Sequence, residues 1–177
     1  MKLLLTGEPL QVLIALVKHY EGLHDGDLRT IGLQPKMCPA EYWTEGYGIV
    51  ITDSKGKMLR GAENKALAYQ LSKIKTEAQA IEALLPALAA REWFVNKLNL
   101  PINDFQKVAL ISLCYNIGSG NFLKSSLLKA IRSGAGKSEI DIDFRKWNKA
   151  GGVVLPGLDK RRTCESYLYI VNQLKIF

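Results

Sequence analysis

The chain has 177 residues and a formal net charge of +7, from 24 Lys and Arg against 17 Asp and Glu. Its composition, 47% hydrophobic and 23% charged, excludes intrinsic disorder. The length predicts one domain, or one domain with two lobes. The positive charge favours an anionic partner, which by composition alone is a nucleic acid, a phospholipid surface or an acidic cell-wall polymer.

The three cysteines, Cys38, Cys114 and Cys164, form no CxxC pair and cannot all pair within one chain. A disulfide scaffold is therefore not expected. No apolar run approaches the roughly 18 residues that span a bilayer, so we expect no stable membrane insertion. The N-terminus resembles a signal peptide, but Gly-Glu-Pro at 7–9 interrupts its apolar stretch and no small-residue cleavage site follows, so we expect no signal peptide.

The first third of the chain predicts one helix followed by strands. Residues 9–20 have the apolar spacing of an amphipathic helix. Residues 43–61 predict strands, because aromatic and β-branched residues precede a turn at 53–56. The sequence therefore predicts a small β-containing lobe at about residues 21–62.

The remainder has a helical pattern. Helices are predicted at residues 63–74, from Thr76, from Asn103, and at about 125–133, 139–148 and 157–174. Thr76 and Asn103 each stand three residues before a glutamine, which is the spacing of a capping box. Pro86 predicts a kink or helix boundary, and Gly118 and Gly120 predict the end of the Asn103 helix. A helical lobe of residues 63–177 plus the N-terminal helix gives an α+β fold.

Two places in the chain carry candidate chemistry. Glu21 ends the first helix, where a carboxylate opposes the helix dipole, a local cost that points to function. A carboxyl group partly walled by apolar side chains there would suit a general acid, while the alternative is a solvated helix end. Residues 38–48 (CPAEYWTEGYG) combine glycines with aromatic side chains, as sugar sites do, or form a tight hairpin with an aromatic core.

In combination these motifs resemble the phage-type lysozymes, the endolysins of glycoside hydrolase family 24. Members have a helix ending in Glu-Gly, as at residues 20–22, and an Asp or Cys six residues before a Thr in a W-T-x-G-Y-G hairpin. Here Cys38 precedes Thr44 by that spacing, and the hairpin is WTEGYG at 43–48. Further matching segments lie at 104–120, 144–147, 150–152 and 155–162. The resemblance covers about residues 10–170.

The resemblance implies a lysozyme-like domain that hydrolyses the β-1,4 bond between N-acetylmuramic acid and N-acetylglucosamine. Glu21 would protonate the leaving oxygen, and Thr44 would position the attacking water. The family is regarded as inverting, so that water needs room between acid and base. Cys38 stands where many members have Asp, and since a free thiol is mostly protonated at neutral pH, it would position water or act as a weak base.

Substrate binding is implied for four positions: Tyr47 and Asn116 would line the cleft, and Gly118 and Ser119 would close one wall. Each side chain has a structural alternative, namely hairpin core for Tyr47 and helix capping for Asn116. The pair Arg161 and Arg162 could meet muropeptide carboxylates, although a charge run on a helix is more often a solvated face.

Peptidoglycan is thus the expected partner, with no nucleic acid, no cofactor and a monomeric protein. Two histidines are too few for a zinc triad, so no metal is expected. An endolysin without a signal peptide would accumulate in the host cytoplasm, depend on a holin for release, and then lyse the cell through its wall.

The sequence also departs from the family pattern. Residues 24–32 look inserted beside the cleft, and Asp25 or Asp27 there could supply a second carboxylate. Glu45 occupies a position that is usually apolar in the family. Ile49 stands where members commonly have His, and Glu41 stands where they frequently have Gly.

The sequence leaves two other functions open. One is a cysteine-dependent peptidase or amidase, with Cys38 as nucleophile and His24 as base. The other is a catalytically silent wall-binding protein, favoured if the insertion blocks the cleft.

Overall fold

A computed structural model describes residues 2–177. The helices are α1 Gly7–Glu21, α2 Lys65–Leu71, α3 Glu77–Lys97, α4 Asp104–Ile117, α5 Ser119–Leu123, α6 Ser126–Ser133, α7 Lys137–Arg145 and α8 Pro156–Val171. The strands are β1 Lys36–Met37, β2 Trp43–Glu45, β3 Ile49–Val50, β4 Lys149–Ala150 and β5 Val153–Val154. This mixture of helices and small antiparallel sheets is the predicted α+β class.

One compact unit, Glu21–Pro86, contains the first sheet. Its strands run in the order β1-β2-β3, all antiparallel, with Thr44 of β2 opposite both Lys36 and Val50. Four buried residues of this unit, Trp43, Ile51, Leu59 and Ala68, form one hydrophobic cluster. Because α2 contributes to that cluster, the unit extends past the predicted lobe boundary at about residue 62.

The other unit consists of residues up to Tyr20 and Ala87–Phe177. Helix α4 is its centre, since the seven consecutive residues from Val108 to Cys114 are all buried. Helix α8 packs along α4, and α7 packs on α8. A helix buried on all sides needs apolar residues around its whole circumference, which the α4 sequence provides.

The two predicted capping boxes and the predicted end of α4 at Gly118 are confirmed. Thr76 accepts from the backbone of Gln79, which accepts in return from the backbone of Thr76. Asn103 and Gln106 form the same reciprocal capping box before α4. Gly118, at φ 84°, ends α4 as predicted, whereas Gly120 lies inside α5.

Of the two outcomes predicted at Pro86, the helix boundary is wrong, because α3 continues through this residue, and the kink stays a prediction. A proline inside a helix removes one backbone hydrogen bond and costs about 3 kcal/mol. Leu84 and Leu88 on either side are fully buried, and each such burial contributes about 1.5–3 kcal/mol. Packing on both sides of the proline therefore offsets the local cost.

Two short strand pairs were not anticipated. β1 has two exposed residues and no apolar alternation by which a sequence pattern could reveal it. β4 and β5 form a hairpin, with Gly151 and Gly152 at φ 58° and 81° in its turn. Glycine adopts these left-handed conformations without steric cost, so the turn depends on them.

Candidate active site

A cavity of about 590 Å³ lies in the unit that contains the first sheet. It is lined by Glu21, His24, Lys36, Met37, Cys38, Pro39, Thr44, Gly48 and Val50. The three residues that the resemblance assigns to catalysis, Glu21, Cys38 and Thr44, therefore line the same cavity although the sequence separates them.

Glu21 lines the cavity because helix α1 ends at its wall. It is the last residue of α1, and Gly22 follows at φ 68°, a left-handed conformation that ends a helix. Gly48 lies close to the carboxylate: a Cβ added at this glycine would be 3.9 Å from Oε2 of Glu21. Gly48 itself has φ 80°, so its backbone follows a path past the acid that other residues rarely adopt.

Cys38 is placed by a tight turn between β1 and β2. Its backbone N–H donates to the carbonyl of Tyr42 and its carbonyl accepts from the N–H of Glu41, each over 2.8 Å. The thiol is free and the residue half-buried at the cavity wall. Among residues 2–177 no hydrogen bond joins Cys38 to His24, so the structure does not assemble the Cys–His pair that a peptidase needs.

Thr44 and His24 share a hydrogen bond that the sequence does not reveal. The Thr44 hydroxyl donates to the carbonyl oxygen of Lys36 over 2.8 Å, and Nδ1 of His24 lies 2.7 Å from the same hydroxyl oxygen. The backbone N–H of His24 also donates to the carbonyl of Gly46 over 2.8 Å. The inserted loop therefore brings a histidine into the cavity and fixes it to the hairpin.

The pKa of His24 is lowered from its usual value near 6.5. Burial is the largest cause, since it disfavours the charged imidazolium, and the Lys36 cation lowers the pKa further. The Glu21 carboxylate acts in the opposite direction but does not outweigh them. His24 is therefore mainly neutral at pH 7.

The two aspartates of the insertion do not line the cavity. Asp25 accepts from the backbone N–H groups of Asp27 and Gln34, each over 3.2 Å. Asp27 accepts from the backbone of Arg29 and the hydroxyl of Thr30, and the pKa of this exposed carboxyl is lowered by these two hydrogen bonds. Both side chains shape the loop, so the structure gives no support to either as the second catalytic carboxylate.

Glu45, at a position that is usually apolar in the family, has a local structural role. Its Oε2 accepts from the backbone N–H groups of Lys73 and Ile74 over 2.8 and 3.0 Å. Those groups belong to the connection between α2 and α3, which this carboxylate fixes to β2. Ile49 pairs with Glu45 across β2 and β3 and is half-buried.

Glu41 has a left-handed backbone at φ 65°, which accounts for the glycine that is frequent at this position. Its carboxylate forms an ion pair of 3.1 Å with Arg60, and both side chains are exposed. Neither residue lines the cavity that contains Glu21 and Cys38.

The four predicted substrate-binding residues are not gathered in this cavity. Tyr47 is only 2% exposed, and its hydroxyl donates to Glu77 over 2.9 Å. Asn116 ends α4 and accepts from Arg162 over 3.2 Å. Gly118 and Ser119 form the junction of α4 and α5 in the same unit as Asn116. A role in substrate binding stays a prediction for all four.

Arg161 and Arg162 do not form a solvated face, which corrects the interpretation from sequence. They are 2% and 0% exposed, and both form ion pairs with the buried Glu165, at 3.1 and 3.0 Å. Ser112 of α4 donates to the same carboxylate over 2.6 Å. The helix spacing i, i+3 and i+4 places both arginines beside one acid, so they form part of the core.

Two further searches of residues 2–177 gave negative results. No group of three or more His, Cys, Asp and Glu side chains could hold a metal ion. No helix in this part of the chain is long and apolar enough to cross a membrane.

The sequence matches the phage lysozyme family over residues 26–165. The endolysin of Acyrthosiphon pisum secondary endosymbiont phage 1 is 31% identical over 160 residues, 88% of this chain and 93% of the relative. The endolysin of Bacillus phage B103 is also 31% identical over 163 residues and 92% of this chain, but the chain spans only 54% of that relative's length.

Two solved structures share the fold. The endolysin from Escherichia coli O157:H7 phage FAHEc1 has a TM-score of 0.71 and 25% identity, covering 93% of this chain and 94% of that one. The muramidase domain of SpmX from Asticaccaulis excentricus has a TM-score of 0.66 and 26% identity, covering 90% and 95%.

A lysozyme-like fold with a carboxylate in such a cavity is typical of glycoside hydrolases of the lysozyme class. The chain belongs to the phage lysozyme family. This membership confirms the predicted muramidase class of hydrolase, with peptidoglycan of the bacterial cell wall as its substrate.

Proposed function

We propose that this muramidase hydrolyses the β-1,4 bond between N-acetylmuramic acid and N-acetylglucosamine, with inversion at the anomeric carbon and Glu21 as the general acid. One observation carries the assignment of residues: Glu21, Cys38 and Thr44 line a single cavity of about 590 Å³. A cavity of this volume admits a sugar ring and one water beside the acid.

In the proposed reaction, the Glu21 carboxylic acid donates its proton to the glycosidic oxygen as the bond to the anomeric carbon breaks. A water attacks that carbon from the opposite face, which gives inversion. Cys38 and Thr44 line the same cavity as Glu21. The Cys38 thiol holds the water in position, and neither Cys38 nor Thr44 forms a covalent bond to the sugar.

The test is mass spectrometry of the muropeptides released from purified peptidoglycan. Wild-type protein should produce new reducing ends at N-acetylmuramic acid. Glu21→Gln, which keeps the shape but has no acidic proton, should lower kcat by at least about 100-fold. Glu8→Gln is the matched control, since Glu8 is an exposed glutamate in the first turn of the same helix.

Other products would identify the alternatives. New amino groups without reducing ends, lost in Cys38→Ala, would show a peptidase instead. Wall binding without any new chain ends would show a silent binding protein. A Glu21→Gln variant as fast as wild type would remove Glu21 from the role of acid.

We also propose that the protein acts as a monomer and reaches the wall from the host cytoplasm through a holin, without inserting stably in a membrane. The resemblance to phage-type lysozymes supports this route. Expression with and without a holin tests it, because lysis should require the holin. Lysis at the same rate without it would refute the dependence.

A further inference from the structure

His24 is a titratable group in the cavity that the resemblance to the family leaves without a role. A carbonyl oxygen can only accept a hydrogen bond, so the single hydroxyl proton of Thr44 is committed to the Lys36 carbonyl. The contact of 2.7 Å between Nδ1 of His24 and the same hydroxyl then requires Nδ1 to be the donor. A neutral imidazole with its proton on Nδ1 carries its lone pair on Nε2.

Nε2 of His24 is accessible to a water molecule. It has no hydrogen-bond partner among residues 2–177, and it is not one of the fully buried polar atoms without a partner. The side chain itself lines the cavity beside Glu21 and Cys38. Nε2 therefore has the access to water that a general base requires.

The groups around His24 keep this lone pair free near neutral pH. The charges of Glu21, at the end of α1, and of Lys36, on β1, both act on the imidazole. Thr44 of β2 contacts its Nδ1, and the backbone N–H of His24 donates to the Gly46 carbonyl. Partial burial and the Lys36 charge favour the neutral ring. Cys38, by contrast, offers a thiol, which is a poor proton acceptor in its protonated form.

We propose that His24 is the general base of the reaction and that its Nε2 accepts the proton of the attacking water. This rests on the proposed function, since it concerns the same glycosidic bond. Thr44 is then a positioning residue, which acts through Nδ1 of His24 and holds the ring in the required tautomer. The insertion at residues 24–32 supplies the base for which many family members use an aspartate.

Protons and bonds balance in the proposed reaction. One proton leaves Glu21 for the glycosidic oxygen while the bond from that oxygen to the anomeric carbon breaks. The water oxygen bonds to the carbon, and one water proton moves to Nε2 of His24. The imidazolium then returns a proton to solvent and Glu21 takes one up, so the net reaction consumes only water.

The decisive variant is His24→Asn. The asparagine amide nitrogen stands at the same number of bonds from the backbone as Nδ1, so it keeps the donor to Thr44 but has no second nitrogen. We expect kcat on purified peptidoglycan to fall by at least about 100-fold, with KM within about threefold of wild type. His19→Asn changes the other histidine, which is exposed, and should leave both values unchanged.

The pH profile separates a base from a residue that only supports the fold. For wild type, kcat/KM should fall on the acidic side as His24 becomes protonated, below pH 6.5 since its pKa is lowered. His24→Asn should lose this acidic limb. His24→Glu should recover part of the activity and move the limb to lower pH, because a free glutamate has a pKa of about 4.3.

A measurement on the wild-type protein covers the case in which the variants do not fold. Nitrogen-15 NMR of the histidine rings at pH 7 should show His24 protonated at Nδ1 and not at Nε2. Protonation at Nε2 would overturn the proposal.

The same assays separate the role of His24 as base from the muramidase assignment. Glycosidic cleavage by wild type with an undiminished kcat in folded His24→Asn would refute His24 as base and leave the muramidase assignment intact. Absence of glycosidic cleavage by wild type would refute both.

Discussion

Nδ1 of His24 lies at a hydrogen-bond distance of 2.7 Å from the hydroxyl oxygen of Thr44. The two residues are twenty positions apart, and the contact forms because the His24 backbone pairs with Gly46. The family resemblance assigns Thr44 to the attacking water, whereas the structure connects it to a second titratable group in the cavity. This connection changes what substitutions at Thr44 should do.

Thr44→Val should lower kcat and destabilise the protein, while Thr44→Ser should preserve both. Valine has the shape of threonine without the hydroxyl, so the Lys36 carbonyl and Nδ1 of His24 would lose their partner at a site that is 3% exposed. Leaving such groups unsatisfied costs about 1–3 kcal/mol. Urea unfolding and reducing-sugar release measure the two effects, and equal behaviour of the two variants would contradict this role.

A thiol reagent should modify Cys38 alone and inhibit the enzyme. Cys114 and Cys164 are fully buried, and burial raises their pKa values to about 12 and about 11. Cys38 is half-exposed at the cavity, where an added group would fill the place of the water. Mass spectrometry should show one label per folded chain, at Cys38, together with loss of activity.

Cys38→Ser is the control for that experiment. It should stay active and resist the reagent, because the hydroxyl still positions a water but does not react. Labelling of Cys114 or Cys164 in the folded protein would contradict the burial of these thiols.

Glu45→Ala should reduce the free energy of unfolding by about 1–3 kcal/mol, because the backbone N–H groups of Lys73 and Ile74 lose their acceptor. Glu41→Gln is matched to it. It removes a carboxylate from the same hairpin region, but from an ion pair whose side chains are both 61% exposed. That change should cost less than about 1 kcal/mol. Equal losses in urea unfolding would contradict the capping role of Glu45.

Glu165→Gln should destabilise the helical unit strongly. It removes the charge that neutralises Arg161 and Arg162 in the core, and breaking a buried ion pair costs about 3–5 kcal/mol. Lys107→Gln breaks a more exposed pair with Asp104 and should cost less than about 1 kcal/mol. Urea unfolding compares the two, and a small loss for Glu165→Gln would mean that the arginines find another partner.

Sequence patterns predicted best where the deciding contacts lie within a few residues. The capping boxes at Thr76 and Asn103 each join residues three positions apart, so their spacing was enough. The helix does not end at Pro86, one of the two outcomes predicted there, because the local cost of the proline is opposed by burial of Leu84 and Leu88, which periodicity alone does not measure. Arg161 and Arg162 were misjudged for the same reason: Glu165 lies on the same helix, but the burial of the two arginines follows only from the packing of α8 on α4.

The sequence by itself determined the family and the α+β class, because the motifs around Glu21, Cys38 and Thr44 are local and ordered along the chain. Only the tertiary structure decided what the inserted loop does. It pairs His24 with Gly46, turns the aspartates of the loop toward backbone N–H groups, and places the imidazole against the Thr44 hydroxyl in the cavity that Glu21 also lines. The physical reason is that a hydrogen-bond partner and the degree of burial, which together set the protonation of a histidine, are properties of packing that spacing does not encode.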